Sequence, residues 1–98
     1  YSAAKHAVVG LVRAVAMDLA PYGVTANVVS PGSTRTKILD ASAALYGLDD
    51  VQAFAAQQPL GRLLEPSEIA ESIAWLCSPQ ASAVTGANVA VDGGMTVS

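Results

Sequence analysis

Two short β-rich runs, set far apart and each closed by a tight turn, limit what this chain can fold into more than any other feature. Residues 24–30 read Val-Thr-Ala-Asn-Val-Val-Ser and run into Pro31-Gly32. Residues 87–91 follow Thr85-Gly86 and end at Asp92-Gly93-Gly94. Branched residues bounded by proline and glycine are the pattern of strands that enter loops. Between the runs a helix is predicted from Pro66, with Glu65 and Glu68 beside its positive end. Its expected buried stripe is Ile69, Ile73, Leu76 and Cys77, with Trp75 alongside, and Ser78-Pro79 stops it. Strand, helical crossover, strand is the parallel arrangement, right-handed by strong preference. Neither run alternates cleanly, as expected of strands covered on both faces. Two parallel strands do not stand alone, so the α/β sheet read here requires further strands.

The chain opens on another helical pattern. From residue 1 to about residue 20, Ala4, Val8, Leu11, Val12, Val15 and Leu19 recur at helical spacing. Val9, Ala16 and Ala20 widen that face, which predicts a helix covered on two sides. Ala3, Ala7, Gly10 and Ala14 would admit a second helix closely; a mid-helix glycine costs about 1 kcal/mol against alanine, which favours a packing reason for Gly10. Pro21 and Gly23 end the element. No capping residue precedes Tyr1, so the 98 residues read as part of a longer polypeptide, one segment (1–98) of a single domain.

Composition narrows the function classes. Apolar residues are 52% and charged residues 13% of the chain, which suits a segment buried against partners. No run reaches the roughly 18 uninterrupted apolar residues of a membrane span, so no membrane association is expected. The five cations (Lys5, Arg13, Arg35, Lys37, Arg62) are scattered and the net charge is −3, which argues against nucleic-acid binding. The single cysteine, Cys77, excludes an internal disulfide, fits a reducing cytoplasm and is expected to be a packing residue. One histidine and one cysteine do not make a zinc site, and no metal is expected. His6 reads as a flanking residue, and the Asp49-Asp50 pair reads as a helix cap rather than a metal ligand pair.

Past Pro31-Gly32 the chain is polar through Lys37. A weak helix is predicted over residues 38–46, broken at Gly47, and a second over 51–58. Two modest helices inserted between a strand and a long helix suit a lid over a ligand, and equally a plain surface excursion. Arg35 and Lys37 read as solvated.

The chemistry-bearing pair is Tyr1 and Lys5. On a helix, residues four apart share a face with Cβ atoms within about 6 Å. A phenol titrates near ~10, and an ammonium one turn away favours phenolate and lowers that value. This is what a tyrosine general acid/base needs. In isolation the same spacing describes a surface tyrosine beside a surface lysine.

The company of this pair carries a family likeness. Tyr1-x-x-x-Lys5 is followed by Asn27-Val-Val-Ser-Pro31-Gly32, with Thr36 four residues beyond the glycine. Then come Gly61-Arg62 leading into Glu65-Pro66-x-Glu68-Ile69-Ala70, and Thr85-Gly86 with Val91-Asp92-Gly93-Gly94. Five fragments in this order resemble the C-terminal portion of short-chain dehydrogenases/reductases. The resemblance implies an α/β fold, the C-terminal part of a Rossmann-type doubly wound parallel sheet. It implies an oxidoreductase using NAD or NADP on a small-molecule alcohol or carbonyl substrate, and a homo-oligomer. In that family the tyrosine exchanges a proton with the substrate oxygen, a role that falls to Tyr1. The lysine depresses the tyrosine pKa and binds the nicotinamide ribose, a role that falls to Lys5. The loop of Pro31, Gly32, Ser33, Thr34 and Thr36 would pass beside the nicotinamide, the backbone of Thr34 and the hydroxyl of Thr36 meeting the carboxamide. The segment after it, beginning at Ile38 and Leu39, would cover the substrate.

Thr34 stands where many members carry an aliphatic residue, a change a backbone contact survives. The family's Gly-rich phosphate loop and catalytic serine lie upstream of its tyrosine, so these 98 residues by themselves are expected to be inactive. Residues 31–36, 44–50 and 61–66 further resemble a mycofactocin-associated bacterial subgroup, in which an outside electron carrier recycles a tightly held nicotinamide. Two other readings keep parts of the pattern: an epimerase or dehydratase with the same dyad, and a non-catalytic oligomerisation or binding module of the same fold.

Overall fold

The computed structural model describes residues 2–36, 41 and 52–97. They divide into two compact units, one comprising the chain up to Val29 with Ile73–Val89, the other Ser30–Ser72 with Ala90–Ser98.

In the first unit, α1 spans Ser2–Leu19. A 3-10 turn at Ala20–Tyr22, with Pro21 inside it, leads to Gly23 at φ 72°, whose N–H donates to the Ala20 carbonyl at 3.0 Å. The left-handed glycine stops the helix where the sequence predicts. The covered side differs from expectation. Ala16 is buried and Val9, Val12 and Leu19 are half-buried, whereas Val8, Leu11 and Met17 are 53%, 65% and 77% exposed. The helix is therefore covered along one narrow line and not on two sides. A Cβ at Gly10 would meet nothing within 4 Å, so the small-residue face has no close neighbour among the described residues. The reason is local: α1 meets the chain at Gly86, where a Cβ would stand 3.8 Å from the Ala16 methyl and whose carbonyl accepts from Arg13 Nε at 3.3 Å.

The strands are β1, Val28–Pro31, and β2, Asn88–Val91, paired in a two-stranded sheet. Val28 N–H donates to the Ala87 carbonyl at 2.8 Å and Gly32 N–H to the Val91 carbonyl at 2.9 Å. Both partners advance by four residues from one bond to the next, which defines a parallel pair. β1 begins later than the β-rich run; before it, side-chain bonds flank a backbone bond from Gly86 N–H to the Ala26 carbonyl at 2.8 Å. The Asn27 amide donates to the Val84 carbonyl at 2.9 Å and accepts from Ala87 N–H at 3.0 Å, while Thr85 Oγ1 accepts from Ala26 N–H at 3.1 Å. In β2, Asn88 and Ala90 are exposed and Val89 and Val91 half-buried, so one face is covered rather than the two expected.

In the second unit, α2 is short, Gln52–Ala55, and winds off through hydrogen-bonded turns to Gln57 and Gln58. Apart from Ala41, the helix predicted at 38–46 lies outside the described residues, as do the proposed caps Asp49 and Asp50. α3, Pro66–Leu76, begins in the second unit, with Pro66 as its first residue and the Glu68 carboxylate accepting from Glu65 N–H at 2.9 Å. That reach backward closes half of a capping box. Of its predicted stripe, Leu76 is buried and Ile69 half-buried, but Ile73 and Trp75 are 48% and 49% exposed and Cys77 is exposed. Cys77 is thus not a packing residue here: it lies past the last α3 residue, in the turn to Ser78-Pro79. The buried apolar residues of the second unit are Ala55, Leu63 and Leu64. No helix among the described residues is long and apolar enough to cross a membrane.

Candidate functional site

β1 delivers the chain into the loop 31–36 at its carboxyl end, where parallel sheets present their ligand-binding loops. Pro31 is exposed, and Gly32, Ser33 and Thr34 are half-buried. Gly32 is required by space: a Cβ there would stand 2.7 Å from Asp92 Cα and 2.9 Å from Asp92 Cβ, and would also strike the Gln58 side chain. The loop is held from two directions. Gln58 Oε1 accepts from Ser33 N–H at 2.6 Å. Leu64 forms a parallel bridge with Thr34, its N–H donating to the Ser33 carbonyl at 3.0 Å and its carbonyl accepting from Arg35 N–H at 2.8 Å. A bridge of this kind engages the residues flanking Thr34, so the Thr34 N–H and C=O point away from Leu64. The Thr34 hydroxyl is engaged locally, donating to the Gly32 carbonyl at 3.0 Å. Thr36 is exposed. Arg35, expected to be solvated, is exposed and pairs with Glu65 at 3.1 Å.

Gln58 and Asp92 are the residues that sequence reasoning missed. Gln58 is 2% exposed, and its Nε2 donates to the Arg62 carbonyl at 2.6 Å. Nothing in the local pattern separates it from the exposed Gln57 beside it. Asp92 is 6% exposed; it accepts from Gly94 N–H at 3.0 Å, from Thr96 N–H at 3.1 Å and from the Thr96 hydroxyl at 2.7 Å. The Thr96 hydroxyl foremost, then the two N–H groups, hold its carboxyl below the usual range against the opposing effect of burial. An aspartate before Gly-Gly with a threonine four residues on is the available sequence signal, a side-chain turn cap.

At the start of α3 the Arg62 guanidinium grips Glu68 through two bonds, 2.7 and 2.9 Å. That contact first, then the Glu65 N–H, lowers the Glu68 carboxyl to about 2, and the same pairing raises Arg62. This fork fixes the segment 62–65 that carries Leu64 to the loop.

Lys5 lies in the first turns of α1 and is exposed. Tyr1, Lys37, Ile38 and Leu39 lie outside the described residues. Gly32, Ser33 and Thr34 are thus brought together with Gln58, Leu64 and Asp92, a denser support than the sequence suggested. No group of three potential metal ligands occurs among the described residues.

A loop that turns a backbone N–H outward two residues past the strand-end glycine can donate to an amide-bearing ligand. The family model described as enoyl-(acyl carrier protein) reductase matches residues 1–96. The chain is 47% identical over 97 residues to a cis-4-hydroxycyclohexanecarboxylate dehydrogenase of Sinomonas cyclohexanicum, covering 98% of this chain and 37% of that protein. Among solved structures, ligand-free aldohexose dehydrogenase of Thermoplasma acidophilum superimposes with a TM-score of 0.90 at 32% identity, over 100% of this chain and 41% of that one. The NADP-bound protein ElxO superimposes with a TM-score of 0.83 at 26% identity, over 96% of this chain and 38% of that one. The chain spans between 34% and 40% of the length of the curated relatives it matches. With a strand-end loop of this form and a family model matched along nearly its whole length, the chain belongs to the short-chain dehydrogenase/reductase family of Rossmann-fold oxidoreductases.

Proposed function

We propose that the protein carrying this sequence is an NAD(P)-dependent oxidoreductase that interconverts a small-molecule alcohol and its carbonyl compound. The observation that carries the reading is the loop 32–34, pinned by Gln58 and Leu64 with its Thr34 N–H turned away from the bridge. When bound, the nicotinamide accepts or supplies the hydride at the substrate carbon.

The chain's own residues do the rest. In the oxidative direction Tyr1, as phenolate, accepts the proton from the substrate hydroxyl while the C–H electron pair leaves as hydride; in reduction the phenol returns that proton to the carbonyl oxygen. Lys5, cationic, stabilises the phenolate and so brings the phenol toward neutral pH. Its ammonium also donates to the ribose hydroxyls. Thr34 N–H and the Thr36 hydroxyl bind the carboxamide, and Pro31, Gly32 and Ser33 pass beside the ring. Ile38 and Leu39 begin the wall against the substrate.

The dehydrogenases named above act on a hydroxycyclohexane acid and an aldohexose by their names, so relatedness supports the alcohol–carbonyl class and not one substrate. The test is Tyr1→Phe in the full-length protein. Turnover is expected to fall about 10²–10⁴-fold with cofactor binding retained, the range for loss of a general acid/base. Unchanged turnover would refute the assignment.

A further inference from the structure

We infer that Gln58 is a positioning residue for the nicotinamide site, setting the place of the Ser33–Thr34 backbone through its side-chain amide. The inference rests on the reading of loop 31–36 as the nicotinamide seat and assigns its geometry to a residue outside the loop.

Four observations converge on this side chain. It is 2% exposed, yet it carries a polar amide whose acceptor and donor are both used, toward Ser33 N–H and the Arg62 carbonyl at 2.6 Å each. Its own backbone is fixed by a turn, the Gln58 carbonyl accepting from Gly61 N–H at 2.7 Å with Gly61 at φ 73°. That turn is tied to the end of β2, where Leu60 N–H donates to the Gly93 carbonyl at 3.0 Å. The amide passes between two glycines: a side chain at Gly32 would strike it, and a Cβ at Gly93 would stand 3.3 Å from Gln58 Cβ.

A side chain so confined transmits position. The Ser33 N–H has a buried acceptor from Gln58 on one side, and the Ser33 carbonyl is held by Leu64. The amide therefore fixes the Gly32–Ser33 peptide, which carries the Ser33 N–H, and the bridge fixes the Ser33–Thr34 peptide, which carries the Ser33 carbonyl and the Thr34 N–H. The two planes meet at the Ser33 Cα, so Thr34 N–H, the group assigned to the carboxamide, is placed by both. Removing the amide leaves the Ser33 N–H without its partner and leaves the adjoining plane held by the Leu64 bond alone.

The chemistry gives a test that packing alone does not reproduce. Gln58→Met keeps the volume and removes both hydrogen bonds. Gln58→Glu keeps the shape, but its carboxylate presents a negative charge to the Arg62 carbonyl; once protonated it offers the same acceptor and donor as the native amide. Burial and a bond to the neutral form both raise the pKa of such a group, so its protonation falls in an accessible range.

In the full-length protein, NADH and NADPH dissociation constants, KM and kcat are measured at about pH 6 and about pH 8 for the wild type, both Gln58 variants and Thr36→Val. Gln58→Met is expected to weaken cofactor binding about tenfold at both values, the loss of one to two buried hydrogen bonds. Gln58→Glu is expected to weaken binding at the higher pH, where its carboxylate keeps the Ser33 bond but faces the Arg62 carbonyl, and to return most of the way to wild type at the lower. Amide exchange at Ser33 is expected to speed up in Gln58→Met relative to that at Leu64. A lowered melting temperature with unchanged cofactor constants, or identical behaviour of the two Gln58 variants at both pH values, overturns the inference. If the wild type binds cofactor and Thr36→Val weakens it while Gln58→Met does not, only the role of Gln58 falls. If the wild type binds neither nucleotide, the seat itself is wrongly assigned and this inference falls with it.

Discussion

Glu68 receives two hydrogen bonds from the Arg62 guanidinium, at 2.7 and 2.9 Å, while the same carboxylate caps the Glu65 N–H. Its carboxyl is lowered from 4.5 to about 2, so its contribution to stability is complete above the ordinary carboxylate range. That contribution fades as pH falls through the window between those values, because the unfolded chain binds the proton first. The difference in melting temperature between wild type and Glu68→Gln is expected to be largest near neutral pH and to shrink toward zero on acidification. A difference that stays constant down to the acid limit would contradict the pairing. Asp92, lowered chiefly by the Thr96 hydroxyl, acts in the same direction, so Thr96→Val is expected to make the protein less stable at neutral pH and less sensitive to acid.

Gly32→Ala places a methyl group against the Asp92 backbone, 2.7 Å from its Cα. Neither β1 nor the Asp92 turn can yield without breaking the bond between Gly32 N–H and the Val91 carbonyl. Overpacking of this kind costs about 1–3 kcal/mol. Denaturant titration of the full-length protein measures it, and a neutral result would show the two segments are farther apart than described.

Asn27→Ala removes the two side-chain bonds that Asn27 makes to the segment entering β2 and leaves the one from Thr85. It leaves the Val84 carbonyl and the Ala87 N–H without those partners, a loss of about 1–3 kcal/mol. Hydrogen exchange at Ala87 should accelerate ahead of that at Gly32, whose bond is made by backbone alone.

A polypeptide of these 98 residues is expected to show no turnover with NADH or NADPH, since the chain spans roughly two-fifths or less of its curated relatives. Absorbance at the reduced nicotinamide band measures this directly, and steady turnover would contradict it.

Local chemistry was legible where the decisive residues are neighbours in sequence. Pro21 and Gly23 mark the end of α1, Pro66 and Glu68 the start of α3, and Pro31-Gly32 the exit of β1. Tertiary pairing was not. The predicted strand at 24–30 loses its first residues where Asn27 and Thr85, far apart in sequence, set side-chain bonds around the backbone bond from Gly86 to Ala26. The apolar stripes of α1 and α3 promised more cover than they receive, since periodicity gives the face and not the neighbour. The loop of the candidate site was visible through Pro31, Gly32 and Thr36, but its support was hidden. Gln58 resembles any polar residue before a proline until Ser33, Arg62 and Gly93 are seen around it.

The approach of Gly32 and Gly93 to either side of one amide ties together the mutational fates of three distant positions. A Cβ at Gly32 would meet both the Gln58 amide and the Asp92 backbone, so shortening residue 58 relieves only one of the two obstacles and leaves Gly32 required. At Gly93 the positive φ of 60° holds the glycine in place as well, so room made at residue 58 would be left as a cavity rather than filled from either side.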